Sequence, residues 1–243
     1  MKNIAIIHME ESTMNSVIGL IDNGVFLNHF VNLTELAESI SIDSECNLKM
    51  SSRERWLTHG TICASIIKKY APNSEIISIC LKPKNNMTSV KQLIAAIDLL
   101  DKLEVKLINI SVGTVGYNDL VELKGSIENA SNNGCVLVAS GDNHGLRAYP
   151  SYFESVIGVA QLNEKLVNLC GFTRHSSLIT GINYLANGVH ELKQLSGNNY
   201  ITPNAASFST CYMTACIFNL MSNQTLTEVP AVINVLNEIT ETE

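Results

Sequence analysis

Short, uninterrupted apolar segments alternate along this chain with longer segments of helical periodicity. The apolar segments lack the polar alternation of a half-exposed sheet, so we expect parallel strands covered on both faces. Five strands are predicted in this way, at residues 16–21, 75–81, 107–112, 135–140 and 155–160. Four helices are predicted between and after them, at residues 59–69, 89–102, 118–132 and 207–221. The pattern predicts an α/β fold, a three-layer sandwich with a central, mostly parallel sheet flanked by helices.

Composition is that of a globular chain with a large core. Of the 243 residues, 46% are hydrophobic and 16% are charged, and no polar tract is long enough to suggest disorder. We expect one domain over residues 1–243. The residues after about 223 are predicted to be a C-terminal appendage, with a weak helix after Pro230.

The charge balance and the N-terminal sequence exclude several kinds of partner. The net charge is −7 and the longest basic run is Lys68-Lys69, so we expect neither nucleic acid nor an anionic membrane as a partner. There is no apolar stretch long enough to span a bilayer, and residues 1–12 lack the apolar core and cleavage site of a secretory signal. We therefore expect a cytoplasmic protein.

The seven cysteines are an odd number and lie mostly inside apolar segments. Free core thiols in a reducing compartment explain this best. The shortest cysteine spacing is Cys211 to Cys216, which is not a zinc motif, and the sequence has no dense cluster of aspartates to supply the roughly six to eight oxygen ligands of calcium. We expect no metal and no cofactor.

Three segments each place a polar, chemically useful residue at the end of a predicted strand or the start of a predicted helix. Asp22 follows the first strand, His59 opens the first helix, and Ser207 opens the most apolar helix. Separately these are explained as a turn aspartate, a polar residue near a helix cap and an N-cap serine. Together they stand in the order Asp, His, Ser, which is the order of the subtilisin triad.

With the segments IGLIDNGV, WLTHGTICASII and ITPNAASFSTCYMTA, the chain resembles the subtilase family of serine peptidases. Four further segments fall in the family's order, namely YAPNSEIISICLK, LINISVGT, GCVLVASGDNHG and YPSYFESVIGVAQLN. The resemblance implies a serine endopeptidase in which Ser207 is the nucleophile, His59 the general base and Asp22 the residue that orients the histidine.

The resemblance also implies how a peptide would bind. The segment Ser111-Val112-Gly113 would pair with an extended substrate, and the segment containing Ala139 and Ser140 would line the primary specificity pocket. Backbone pairing of this kind makes a peptide or protein, bound as an extended strand, the expected substrate.

The chain departs from the family pattern most seriously at the oxyanion hole. The family has a Gly-Asn pair there, whereas this chain has Gly141-Asp142-Asn143. An ionised Asp142 would repel the oxyanion, while a protonated Asp142 or a one-residue shift to Asn143 would preserve a donor. The sequence is compatible with either Asp142 or Asn143 as the oxyanion-hole donor. Three other positions differ from the common pattern of relatives: Ser or Thr is replaced by Asn23, His by Ile62, and Pro by Cys211.

Three functions from different classes remain compatible with the sequence. Only 21 residues precede Asp22, too few for the inhibitory propeptide of secreted relatives, which favours a dedicated processing protease such as a leader peptidase for a ribosomally made peptide. A catalytically impaired, subtilase-fold peptide-binding protein is favoured only by Asp142. A peptide macrocyclase would require an element that covers the site and excludes water.

Overall fold

The computed structural model describes residues 16–50, 56–116, 119–162, 171–224, 226 and 229–241. Its centre is a nine-stranded sheet in the order β3-β2-β4-β1-β5-β6-β7-β9-β8, in which only β3 and β8 run antiparallel to their neighbours. The strands are β1 Val17–Asp22, β2 Glu38–Ile42, β3 Leu48–Met50, β4 Glu75–Leu81, β5 Leu107–Ile110, β6 Val136–Ser140, β7 Val156–Gln161, β8 Phe172–Arg174 and β9 Tyr184–Ala186, with a separate hairpin of β10 Glu191–Lys193 and β11 Asn199–Ile201.

Within the part of the chain that the structure describes, five helices cover the two faces of the sheet. They are α1 His59–Tyr70, α2 Val90–Lys102, α3 Leu120–Asn132, α4 Ala206–Gln224 and α5 Val229–Glu241. Helices α1, α4 and α5 pack on one face and α2 and α3 on the other, each with its own buried apolar cluster. The predicted α/β sandwich with a mostly parallel sheet is confirmed.

Strand β1 lies in the middle of the sheet and is buried along its whole length. Its side chains alternate between the two apolar clusters, with Ile18 and Leu20 facing α1 and α4, and Val17 and Ile21 facing α2 and α3. A strand covered on both faces must be apolar throughout, which explains why its sequence does not alternate. The strand therefore holds Asp22, at its carboxyl end, in a fixed position.

Several boundaries differ from the sequence-based prediction. Strand β5 ends at Ile110 rather than at residue 112, and α4 begins one residue earlier and ends three residues later than predicted. The predicted start of α3 at residue 118 lies outside the described residues. At the C-terminus, α5 buries Val232 and Leu236 in the core shared by α1 and α4. Among the described residues, no helix is both long enough and apolar enough to cross a membrane.

His190, which lies just before β10, is a buried histidine away from the predicted site. Its exposed fraction is 2%, its Nδ1 lies 3.1 Å from the hydroxyl of Tyr70, and its ring stacks on Tyr212. Burial, together with the nearby charge of Lys69, lowers the pKa of His190 to about 4. The folded protein therefore holds this ring neutral, whereas the unfolded chain binds a proton near pH 6.5.

We expect the contribution of His190 to the stability of the protein to fall as the pH decreases from about 6.5 to about 5, part of the way to the folded pKa of about 4. Because the pKa of His190 is lower in the folded state, its stabilising contribution is complete above the unfolded pKa and is lost as the pH falls towards the folded one. The expected loss is about 2 kcal/mol of unfolding free energy. Urea unfolding of wild type and His190→Asn should show a smaller pH dependence in the variant. His175→Asn, at an exposed histidine, is the control, and an unchanged pH dependence in His190→Asn would contradict the assignment.

Candidate active site

Asp22 ends β1 at the carboxyl edge of the sheet, where α/β proteins bind their ligands. Its side chain is 3% exposed, and one carboxylate oxygen accepts a hydrogen bond from the backbone N–H of Asn23 at 2.7 Å. Both carboxylate oxygens face His59, at 2.8 and 3.0 Å from Nδ1. The buried carboxylate thus has a nitrogen donor as its partner.

His59 is the first residue of α1, whose N-cap is Thr58. The start of the helix lies against the segment that follows β1, because Asn23 Oδ1 accepts a hydrogen bond from Gly60 N–H at 2.9 Å. A Cβ atom at position 60 would lie 2.5 Å from the carbonyl oxygen of Gly24, so only glycine permits this approach. Asn23 and Gly60 therefore fix the position of His59 relative to Asp22.

Ser207 lies in the first turn of α4, where backbone N–H groups have no partners within the helix. Its hydroxyl oxygen is 2.9 Å from His59 Nε2. The imidazole also stacks on the ring of Phe208, with the two centroids 5.2 Å apart. The three residues predicted from separate motifs thus form one continuous chain of hydrogen-bonding distances, from Asp22 through His59 to Ser207.

Cys63, one helical turn after His59, is a neighbour of this group that the sequence analysis missed. Its sulfur is fully buried and lies 3.6 Å from His59 Nδ1. Burial raises the pKa of the Cys63 thiol well above its ordinary value of 9.0, so the sulfur is uncharged at neutral pH. The i, i+4 spacing on a predicted helix was the signal that could have identified it.

The pKa of His59 is raised above its ordinary value of 6.5 by these neighbours. Burial of the ring lowers the pKa of His59, whereas Cys63 and Asp22 raise it. Cys63 would attract the imidazolium strongly only as a thiolate. Because the Cys63 thiol is neutral, we attribute the higher pKa mainly to the Asp22 carboxylate.

The two candidates for the oxyanion hole differ clearly in their contacts. Asp142 directs its carboxylate into its own loop, where Oδ2 accepts hydrogen bonds from the backbone N–H groups of His144 and Leu146 at 2.7 and 3.2 Å. Asn143 is exposed, and its Oδ1 accepts a hydrogen bond from the N–H of Ala206 at 2.9 Å. The Asn143 amide therefore lies next to the residue that precedes Ser207.

The residues predicted to bind substrate follow β5 and end β6. The Ser111 hydroxyl donates to the sulfur of Cys63 at 3.7 Å, Val112 is half-buried, and Gly113 is exposed. A Cβ atom at position 113 would lie 3.0 Å from the carbonyl oxygen of Tyr149. Ala139 is fully buried within β6, and Ser140 ends that strand with an exposed fraction of 8%.

Comparisons with known proteins bear on the family and the fold of this chain. A family model described as the subtilase family matches residues 13–233. The nisin leader peptidase NisP from Lactococcus lactis is 16% identical, with 91% of this chain and 81% of that chain covered and a TM-score of 0.71. The epidermin leader peptide processing serine protease EpiP from Staphylococcus aureus is 17% identical, with coverages of 92% and 70% and a TM-score of 0.72.

A cold-adapted subtilisin-like serine proteinase is equally similar, at 16% identity, coverages of 93% and 82% and a TM-score of 0.70. A search of curated proteins gave no significant match. At these identities the solved structures establish the fold.

Proposed function

This chain belongs to the subtilase family, whose members are serine endopeptidases of the subtilisin type, and we propose that Asp22, His59 and Ser207 are its catalytic triad. The observation that carries the proposal is the continuous contact from Asp22 through His59 to Ser207, at 2.8 and 2.9 Å. Proteases of this family act on peptides, so the reaction is peptide-bond hydrolysis.

In the proposed mechanism, Ser207 Oγ attacks the scissile carbonyl carbon while His59 Nε2 accepts the hydroxyl proton. Asp22 holds the proton of the neutral imidazole on Nδ1, which leaves the Nε2 lone pair directed at Ser207. The imidazolium then donates its proton to the leaving amine, and water resolves the acyl-enzyme. Phe208 limits movement of the ring by stacking on it.

We assign the side-chain donor of the oxyanion hole to Asn143. A backbone N–H can only donate, so the Asn143 atom that contacts Ala206 is the amide oxygen, and the NH₂ group is left for another acceptor. The backbone N–H of Ser207, in the first turn of α4, supplies the second donor. Asp142 accepts hydrogen bonds within its own loop, which is evidence against the impaired peptide-binding protein.

The substrate is proposed to bind as an extended strand along Ser111, Val112 and Gly113. β5 ends at Ile110, and the backbone N–H of Ser111 still donates to the carbonyl oxygen of Ile21 at 3.3 Å, so the segment leaves the sheet beside the strand end that holds Asp22. Ser140, at the carboxyl end of the adjacent β6, lies beside this segment and is proposed to line the primary pocket with Ala139 through their backbone.

A dedicated processing role is proposed, with removal of a leader from a ribosomally made peptide as its example. It is supported by the fold similarity to proteins described as leader peptidases. The cytoplasmic location stays a prediction, supported by six described cysteines that are not in disulfides. Cys170, the seventh, lies outside the described residues.

Incubation of the protein with a library of peptides tests this function. Mass spectrometry should show two linear products whose summed mass exceeds the mass of the substrate by one water. If the role is dedicated, alignment of the cleaved sequences should show a narrow preference for certain residues around the cleaved bond. Products that have lost the leader without gaining water would instead indicate a macrocyclase. No product from any peptide would favour the impaired binding protein.

The pH dependence of kcat/KM should show an acid limb above pH 6.5. His59 must be neutral to accept the proton of Ser207, and Asp22 raises the pKa of His59, so activity is lost as the pH falls through this higher pKa. Asp22→Asn removes the carboxylate charge, so it should move the limb to lower pH and reduce kcat by about 10⁴-fold. A limb that stays in place in Asp22→Asn would contradict the assignment.

A further inference from the structure

A groove lies between α3 and the segment that leads from β6 to β7. Its volume is about 410 Å³, within the roughly 300 to 1,000 Å³ of typical ligand pockets. Its walls are mainly aliphatic and aromatic, and they include Leu120, Val121, Tyr149, Tyr152 and Phe153. None of these residues belongs to the proposed triad or to the oxyanion hole, so the groove has no role in the chemical step described above.

The walls of the groove are held in place by contacts of their own. The ring of Tyr149 contacts the rings of Tyr152 and Phe153, with centroids 5.6 and 5.1 Å apart. The guanidinium of Arg147 lies 4.1 Å from the centre of the Tyr152 ring, and its Nε donates to the carbonyl oxygen of Ile179 at 3.2 Å. A wall that is already ordered binds an apolar group without the entropic cost of ordering itself.

The rim of the groove favours an uncharged ligand. Lys124 and Glu128 on the rim form an ion pair at 3.4 Å, so neither residue requires a charged partner. Val121, in the first turn of α3, exposes 83% of its surface beside the groove. A large aliphatic or aromatic side chain would cover Val121 and could meet the aromatic walls edge to face.

The groove adjoins the segment proposed to bind the substrate. Tyr149, one of its walls, is paired with Thr114 through two backbone hydrogen bonds of 2.8 and 2.9 Å. Gly113 approaches Tyr149 so closely that a Cβ atom at position 113 would lie 3.0 Å from its carbonyl oxygen. Val112 packs against the same apolar cluster as Leu120 and Tyr149. A peptide that pairs with residues 111–113 and extends past Gly113 is therefore directed towards this groove.

The part of the peptide that extends past Gly113 is its N-terminal part. Ser111 is the end of the segment nearest the triad, because its hydroxyl lies 3.7 and 3.9 Å from the sulfurs of Cys63 and Cys211. These cysteines follow the histidine and the serine of the triad by one helical turn. The primary pocket binds the residue whose carbonyl is attacked, so this residue lies at the Ser111 end and the residues that precede it extend past Gly113.

We propose that the groove is a second binding site for the peptide substrate. It takes one large apolar side chain from the N-terminal part of the peptide, beyond the residues that pair with residues 111–113. In a leader peptidase this part is the leader. The inference rests on the proposed function, because it places the substrate along this segment. A contact so far from the cleaved bond stabilises substrate and transition state equally, so it should lower KM and leave kcat unchanged.

A series of peptides with one moving phenylalanine tests the second site. All members share one sequence around the expected cleavage site, taken from the peptide library, and carry an N-terminal extension of serines in which the phenylalanine moves one residue at a time. We expect kcat/KM to rise by about 10- to 100-fold at one position, the effect of burying one large apolar side chain. The rise should come from KM. Equal values of kcat/KM at every position would overturn the proposal.

Val121→Asp should abolish the preference for that phenylalanine. Because aspartate is favoured in the first turn of a helix and Val121 is exposed, α3 should stay folded. With arginine at the same peptide position, the variant should exceed the wild type in its preference over serine, since the new charges attract each other. Leu178→Asp is the control, at a residue that is 89% exposed and does not line the groove. Equal effects of the two substitutions would show that the groove is not the site.

Binding to Ser207→Ala protein separates this inference from the proposed function. Fluorescence anisotropy should show that one labelled phenylalanine peptide binds more tightly than its serine counterpart, and that adding Val121→Asp removes the difference. If the wild type cleaves no peptide but Ser207→Ala shows this difference, the proposed function fails and the groove stands. If the wild type cleaves the peptides and Ser207→Ala binds all members of the series equally, the groove fails and the proposed function stands.

Discussion

Replacement of Ser207 by alanine is expected to reduce kcat for peptide cleavage by about 10⁶-fold, the scale known for the nucleophile of subtilisin. The alanine lacks the oxygen that forms the acyl-enzyme, while Asp22 and His59 remain paired at the end of β1. KM should change little because the substrate strand and pocket are untouched. Cleavage rates measured at saturating peptide, in wild type and variant, give the comparison.

Ser209→Ala is the matched control for Ser207→Ala. Ser209 lies two residues further along α4, is fully buried and donates to the carbonyl oxygen of Ala186 at 2.9 Å. Its loss should reduce stability by about 1 kcal/mol and leave the chemical step intact. A fluorophosphonate should label Ser207 in wild type and in Ser209→Ala. Cleavage that survives Ser207→Ala, or a label on another residue, would rule out Ser207 as the nucleophile.

Sequence patterns were sufficient for the elements buried on both faces. Strand β4 was predicted with its observed bounds, because a strand between two helical layers must be apolar throughout. The short strands β2, β3, β8 and β9 were not predicted. They lie at the edges of the sheet, each has three to five residues of mixed burial, and so few residues cannot establish a period.

The same contrast holds for individual polar residues. Asp22, His59 and Ser207 were predicted from their order along the chain and from the family resemblance. Each follows or opens a regular element, and this places it at the edge of the sheet. His190 was missed because its burial results from tertiary packing against Tyr70 and Tyr212, which no local pattern reports. Asp142 and Asn143 are adjacent in a loop, and which of them faces Ser207 depends on backbone geometry that neither residue's identity determines.

The choice between Asp142 and Asn143 leads to the second large effect. Asn143→Ala is expected to reduce kcat by about 10²- to 10³-fold with little change in KM, because the lost donor acts mainly on the oxyanion of the transition state. Asp142→Ala should have a much smaller effect, since its carboxylate serves the N–H groups of His144 and Leu146. Steady-state kinetics on one peptide rank the two variants.

Asn143→Asp separates the donor from the structural contact. The new carboxylate can still accept the hydrogen bond from Ala206 N–H, so the start of α4 keeps its partner, but the NH₂ donor is gone. We expect a loss at least as large as that of Asn143→Ala, because the carboxylate also repels the oxyanion. If instead Asp142→Ala, which removes any donor at that position, proved as damaging as Asn143→Ala is expected to be while Asn143→Asp had little effect, a protonated Asp142 would be the donor. The kcat values of the two alanine variants and of Asn143→Asp therefore decide which residue faces the oxyanion.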